Sequence, residues 1–136
     1  MTERSKKIGL DFDGVLHSYV SGYSDYPADA AIPGAQKFCR DLQDRGFVLF
    51  VFTARLAGKH WDPVKQAAIV KWLQDNDFPD MPVTGEKLAA DLYIDDNGYR
   101  FRGDYADTLT RIDSKELLTV WYEKKPNARS FRDETA

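Results

Sequence analysis

The stretch KIGLDFDGVLH, residues 7–17, opens like a buried strand and closes on a concentration of charge. Residues 8–12 are short and mostly apolar, with lysines before them and Asp13-Gly14 at their end, the pattern of a strand covered on both faces. Asp11 and Asp13 stand two positions apart at that end. Carboxylates so close repel each other, so the spacing calls for something positive to sit there.

Outward from this strand, strand and helix signals alternate. Pro33-Gly34-Ala35 opens a helix whose Ala35, Phe38, Cys39 and Leu42 fall at i, i+3, i+4 and i+7, closed by Arg45-Gly46. Residues 47–52 form a β-branched and aromatic strand. Asp62 as N-cap and Pro63 in the first turn start a second helix, with Val64, Ala68, Ile69, Trp72 and Leu73 on its inner side, ending near Asp77. Short strands are expected at 81–84 and 91–94. Asp113-Ser114-Lys115-Glu116 resembles a capping box for a last helix carrying Leu117, Leu118 and Trp121, and residues 126–136 read as a polar tail.

Strands alternating with helices predict an α/β protein: a three-layer Rossmann-like fold on a mostly parallel central sheet, one domain over residues 1–125. The second strand should lie beside the first and the third beyond it. The 91–94 strand then takes the other side of the first, creating the switch point where open α/β sheets bind ligands at the carboxyl ends of their strands. Asp11, Asp13, Thr53, Asp95 and Asp96 all fall at carboxyl ends.

Composition sets the outer limits. The chain has 136 residues, 43% of them hydrophobic, enough for one core. Its 19 basic and 22 acidic residues give a formal charge of -3, with no long basic run, so charge does not indicate nucleic acid although a basic groove stays open. Cys39 is the only cysteine, which excludes an internal disulfide and suits a buried structural thiol. Apolar stretches are too short for a membrane span or a signal peptide, and the expectation is a cytoplasmic protein.

Each motif has a plain reading. Asp-x-Asp-Gly after a strand is often a turn, Asp95-Asp96-Asn97-Gly98 is ordinary turn sequence, Thr53 can cap a loop and Lys87 can be a solvated lysine. Their joint placement at one edge of one sheet is what favours a shared site. Asp11-Phe12-Asp13-Gly14-Val15-Leu16, then Thr53, then Lys87, then Asp95-Asp96 after "ADLYI" resemble, in order and strand position, the four motifs of the haloacid dehalogenase superfamily of phosphohydrolases. The resemblance covers residues 7–96 and is closest in pattern to small members common in bacteria and phages that run "EKLAADLYIDD". The segments 15–32 and 54–86 leave room for a flap but for no cap domain.

The resemblance implies a Mg²⁺-dependent phosphomonoesterase. Asp11 would be the nucleophile that forms an aspartyl phosphate, and Asp13 the general acid and then base. Metal ligands would be Asp11, Asp13 through its carbonyl, Asp95 and Asp96. Thr53 and Lys87 would hold the transferring group, and Gly14 would let the backbone approach the phosphate. His17 and Arg55 lie where a substrate group could reach them, and Tyr19, Tyr23 and Tyr26 fall on the flap. A capless site suits a phosphate on something large, such as a polynucleotide end or a protein; a nucleotide or sugar phosphate suits it if a second subunit supplies a lid. The same residues would serve a phosphotransferase. A non-catalytic Mg²⁺ and phosphate-binding module is the alternative from another class, though the order of the acidic motifs favours the hydrolase.

Overall fold

The computed structural model describes residues 6–114. Four strands form one sheet in the order β3-β2-β1-β4: β1 Lys7–Asp11, β2 Val48–Phe52, β3 Val83–Thr84 and β4 Leu92–Ile94. Every pairing is parallel, with Leu10 beside Val51 on one side and Ile94 on the other. This is the α/β architecture and strand order expected, with the chain reversing direction across the sheet between β1 and β4.

Burial explains β1. Ile8, Leu10 and Phe12 are almost fully enclosed, and with Leu49, Val51, Ile69, Leu73 and Cys39 they make the core between the sheet and the helices. Removing a ring such as Phe12 from a core of this kind costs roughly 3–5 kcal/mol. Gly9 is forced by its neighbours. A Cβ there would stand 2.6 Å from Tyr93 and 2.7 Å from Phe50, whose rings meet edge to face across the strand.

Helix α1, Ala35–Asp44, buries Ala35 and Cys39 and leaves Phe38 exposed, so the inward stripe is narrower than its spacing suggests. Helix α2, Pro63–Asp75, begins as the sequence indicates: the Asp62 carboxylate accepts the Val64 N–H at 2.8 Å, with Pro63 in the first turn. Ile69, Trp72 and Leu73 are buried, but Val64 in the first turn is exposed, so the inward face of α2 starts later than its spacing suggests.

The third helix is one not expected from the sequence; Asp113 lies at its end and so is no N-cap, and the helix expected beyond it falls outside the described residues. Asp104 is the N-cap, accepting the Asp107 N–H at 3.0 Å, and α3 runs over Tyr105–Asp113, ending where a helix was expected to begin. Leu117, Leu118, Trp121 and the 126–136 tail lie outside the described residues. Residues 15–32 form the flap, joined to the end of β1 by a bridge of His17 to Asp13 and closed on itself by a bridge of His17 to Ala31, and no cap domain is present among the described residues. No helix among them is long and apolar enough to cross a membrane.

Candidate active site

Two groups of side chains gather at the carboxyl edge of the sheet. In the first, Asp11 at the end of β1 and Asp95 and Asp96 just past β4 place carboxylate oxygens within 4.8 Å of one another. Parallel pairing of β1 with β4 makes this contact. The Phe12 N–H donates to Asp11 Oδ1 at 2.9 Å, and the Asn97 N–H donates to Asp95 Oδ1 at 2.8 Å, which fixes how both carboxylates turn. Gly14, at φ 86°, passes beneath the third; a Cβ would lie 2.2 Å from Asp96 Oδ2. Only glycine fits this cradle. Three carboxylates so close are a hard-oxygen donor set, which fits a divalent cation such as Mg²⁺.

The second group is built around Asp13. Its carboxylate turns away from the acidic trio and takes a bidentate pair from Arg55, Nε to Oδ2 at 2.8 Å and Nη2 to Oδ1 at 3.0 Å. His17 Nδ1 shares Oδ1 at 2.9 Å. Because His17 Nε2 accepts the Asp29 N–H at 3.1 Å, the neutral ring carries its proton on Nδ1, facing Asp13. Burial by itself would raise the Asp13 carboxyl, but the His17 and Arg55 hydrogen bonds and the Arg55 charge outweigh it and hold it below the usual carboxylate range.

Arg55 and His17, expected beside the substrate, are thus buried around Asp13, with His17 only 1% exposed. Arg55 Nη1 donates to the Ser24 carbonyl at 2.8 Å, and its guanidinium lies over the rings of Phe12, Tyr19 and Tyr23. These contacts tie the flap to Asp13. Trp72 Nε1 on α2 adds a bond to the Asp29 carbonyl at 3.0 Å, and Ser21 holds the Asp29 carboxylate from its hydroxyl and its N–H. Asp29 and Ser24 were not singled out from sequence and Trp72 was read only as an inward residue of its helix, since nothing local marks a residue whose partner lies more than ten positions away.

Thr53 closes β2. It is buried, accepts the Arg55 N–H on Oγ1 at 3.2 Å and keeps its hydroxyl proton to donate elsewhere. Lys87 is exposed on the segment before β4, with Nζ 5.6 Å from the centre of the Tyr93 ring. Asp11, Asp95, Asp96 and Gly14 therefore form one assembly and Asp13, Arg55 and His17 another. The Asp13 carboxylate is not part of the acidic trio.

No family model matches the chain, and no solved structure matches it. It is similar to a protein of Chlorobaculum tepidum named "Putative 5'(3')-deoxyribonucleotidase", 37% identical over 101 residues that make up 71% of this chain. The chain spans 46% of that relative's length. The parallel β3-β2-β1-β4 sheet and the ordered motifs on its carboxyl edge fit the haloacid dehalogenase resemblance read from the sequence, and this likeness to less than half of the relative agrees with it.

Proposed function

We propose that the chain is a phosphomonoesterase acting on a nucleotide or a related phosphate ester through an aspartyl phosphate. The observation that carries the reading is the meeting of Asp11, Asp95 and Asp96 at the switch point of the sheet, on the strand that supplies the nucleophile. The name of the Chlorobaculum tepidum relative supports a nucleotide as the substrate.

Asp11 attacks phosphorus, forming a new P–O bond as the bond to the leaving oxygen breaks. Asp13 delivers the proton that the leaving oxygen needs. In the second half, water attacks the phosphoryl group, Asp13 takes its proton, and the P–O bond to Asp11 breaks to restore the carboxylate and release inorganic phosphate. Thr53 donates its hydroxyl proton to a phosphoryl oxygen, and the Lys87 ammonium approaches to balance the charge of the transferring group. Asp11, Asp95, Asp96 and the Asp13 carbonyl would hold Mg²⁺, which when bound offsets the charge of the carboxylates and of the phosphoryl oxygens.

With its oxygens bonded to Arg55 and His17, Asp13 stands here as the carboxylate, the state that accepts a proton from water in the second half-reaction. That proton is the one it delivers to the next leaving group, and carrying it requires that one of those bonds give way. Arg55 and His17 act through Asp13 as positioning residues in this reading, in place of the substrate contacts first expected of them.

The test is hydrolysis of an activated aryl phosphate and of a deoxynucleoside monophosphate with and without Mg²⁺. Turnover that needs the metal and disappears in Asp11→Asn, with the circular dichroism unchanged, is the expected result. Near-normal activity in a folded Asp11→Asn protein overturns it.

A further inference from the structure

Six aromatic side chains are exposed among the described residues, and their distribution is uneven. Five follow the carboxyl ends of strands: Tyr23 and Tyr26 on the flap after β1, Trp61 after β2, and Phe101 and Tyr105 after β4. Phe38 on α1 is the exception. Exposed aromatic rings scattered over a surface need no explanation, but five of six on the segments that follow β1, β2 and β4 do, the segment after β3 carrying none. Their exposure ranges from 47% for Tyr23 to 78% for Tyr105.

The segment after β4 is the most developed part of this rim. It leaves Asp96 as Asn97-Gly98-Tyr99-Arg100-Phe101-Arg102, alternating ring and guanidinium. Arg100, Phe101 and Arg102 are all exposed, and the Phe101 and Tyr105 rings lie with centroids 4.9 Å apart. Tyr99 anchors the segment to α3, its hydroxyl 3.5 Å from both Asp107 and Thr108. Five residues reach at most ~18 Å, so these rings stand within a short oligonucleotide's length of the acidic trio. On the far side of the site the exposed Lys59 precedes Trp61.

Rings on which bases stack, interleaved with cations that track a phosphate backbone, are the chemistry of single-strand binding. The aryl faces take any base, and no cap covers the site between them among the described residues. We propose that the preferred substrate is the terminal phosphate of a single-stranded polynucleotide, drawn over the site by Phe101 and Tyr105 as a base platform and by Arg100 and Arg102 as backbone contacts. This rests on the phosphomonoesterase reading above and names its substrate class.

The experiment has a binding arm independent of turnover. Asp11→Asn protein with Mg²⁺ is titrated by fluorescence anisotropy against short oligodeoxythymidylates carrying a 3′-phosphate, a 5′-phosphate or neither, with thymidine monophosphate as competitor. A phosphorylated oligomer should bind at least about tenfold tighter than the mononucleotide, and the preferred end identifies the substrate. The double substitution Phe101→Ala with Tyr105→Ala should weaken the oligomer about tenfold while leaving mononucleotide binding and aryl phosphate turnover unchanged. Arg100→Ala with Arg102→Ala should flatten the salt dependence of oligomer binding. Equal affinity for oligomer and mononucleotide, or equal losses for both in the ring variant, overturns the proposal. So does equal binding of all three oligomers, or a dimer that dissociates in the ring variant, which makes the face an interface between copies. Failure of wild-type protein to hydrolyse an aryl phosphate instead removes the phosphomonoesterase reading and leaves the binding arm to decide the rim.

Discussion

Asp13 and Arg55 make the only ion pair among the described residues in which both side chains are mostly enclosed and two hydrogen bonds run in parallel. Removing Arg55 leaves the enclosed Asp13 charge with only the His17 hydrogen bond to meet it. Arg55→Met should therefore destabilise the fold by about 3 kcal/mol and slow turnover further than its effect on KM, as expected of a group that acts through Asp13. Urea denaturation and steady-state kinetics on an aryl phosphate check both; a KM effect alone would return Arg55 to substrate binding. Cys39 is the other buried group with a consequence. Burial pushes its thiol up to about 11. The native state then holds the proton more tightly than the unfolded chain does. The stability this gives is complete below the unfolded thiol's ordinary value and is lost as pH rises through the folded one. Cys39→Ala should lessen the alkaline fall in stability, and a thiol reagent at pH 8 should modify wild-type Cys39 only at the rate of unfolding. Fast labelling of the native protein would refute this.

At the scale of elements, the junction of β1 with its neighbours is the tightest place in the sheet. Gly9 lies between the rings of Phe50 on β2 and Tyr93 on β4, and Tyr93 also meets Phe52 edge to face. A methyl at position 9 must displace one ring, so Gly9→Ala should cost about 1–3 kcal/mol despite its better intrinsic strand propensity. The displacement bears on function because Tyr93 belongs to the strand that carries Asp95 and Asp96. A lower urea midpoint with an unchanged slope is the expected measurement, and unaltered stability would mean that the rings move freely. The flap is held differently. Tyr19 adopts φ 59°, a left-handed conformation unusual for a ring-bearing residue, and its ring lies against Arg55 and near His17. Side-chain contacts, not backbone ladder bonds, hold most of this segment in place.

For the whole molecule, the edge of the sheet concentrates negative charge that folding brings together from distant parts of the chain. Asp11 and Asp95 are 84 residues apart in sequence, and their repulsion exists only in the native state. Mg²⁺ binding to that state should raise the melting temperature by several degrees at saturating metal, and Asp95→Ala should abolish the rise. A rise that survives the substitution would show that the metal sits elsewhere. Much of this arrangement is legible from the chain alone. Short apolar runs and helical spacings, broken by Asp-Gly, Arg-Gly and Asp-Pro, define the strands and the first two helices, and right-handed crossovers then leave little choice of strand order. The acidic residues of the site follow, since each ends a strand. Helix α3 was also within reach, through Asp104 with Tyr105, Leu109 and Ile112 at helical spacing, but the stronger-looking Asp113-Ser114 signal competed with it. What sequence periodicity could not supply is which way a side chain turns once its backbone is placed. Asp13 sits two residues from Asp11, yet Arg55 and His17 draw its carboxylate to the other side of the strand end. Asp29 and Ser24 enter the site only as backbone partners of His17 and Arg55. Local pattern determined the strands and where the acids fall, because hydrophobic period and turn chemistry act over a few residues. Tertiary structure alone decided which acids gather into the trio and which faces a guanidinium, because that choice depends on charges brought together from β1, β2 and the flap.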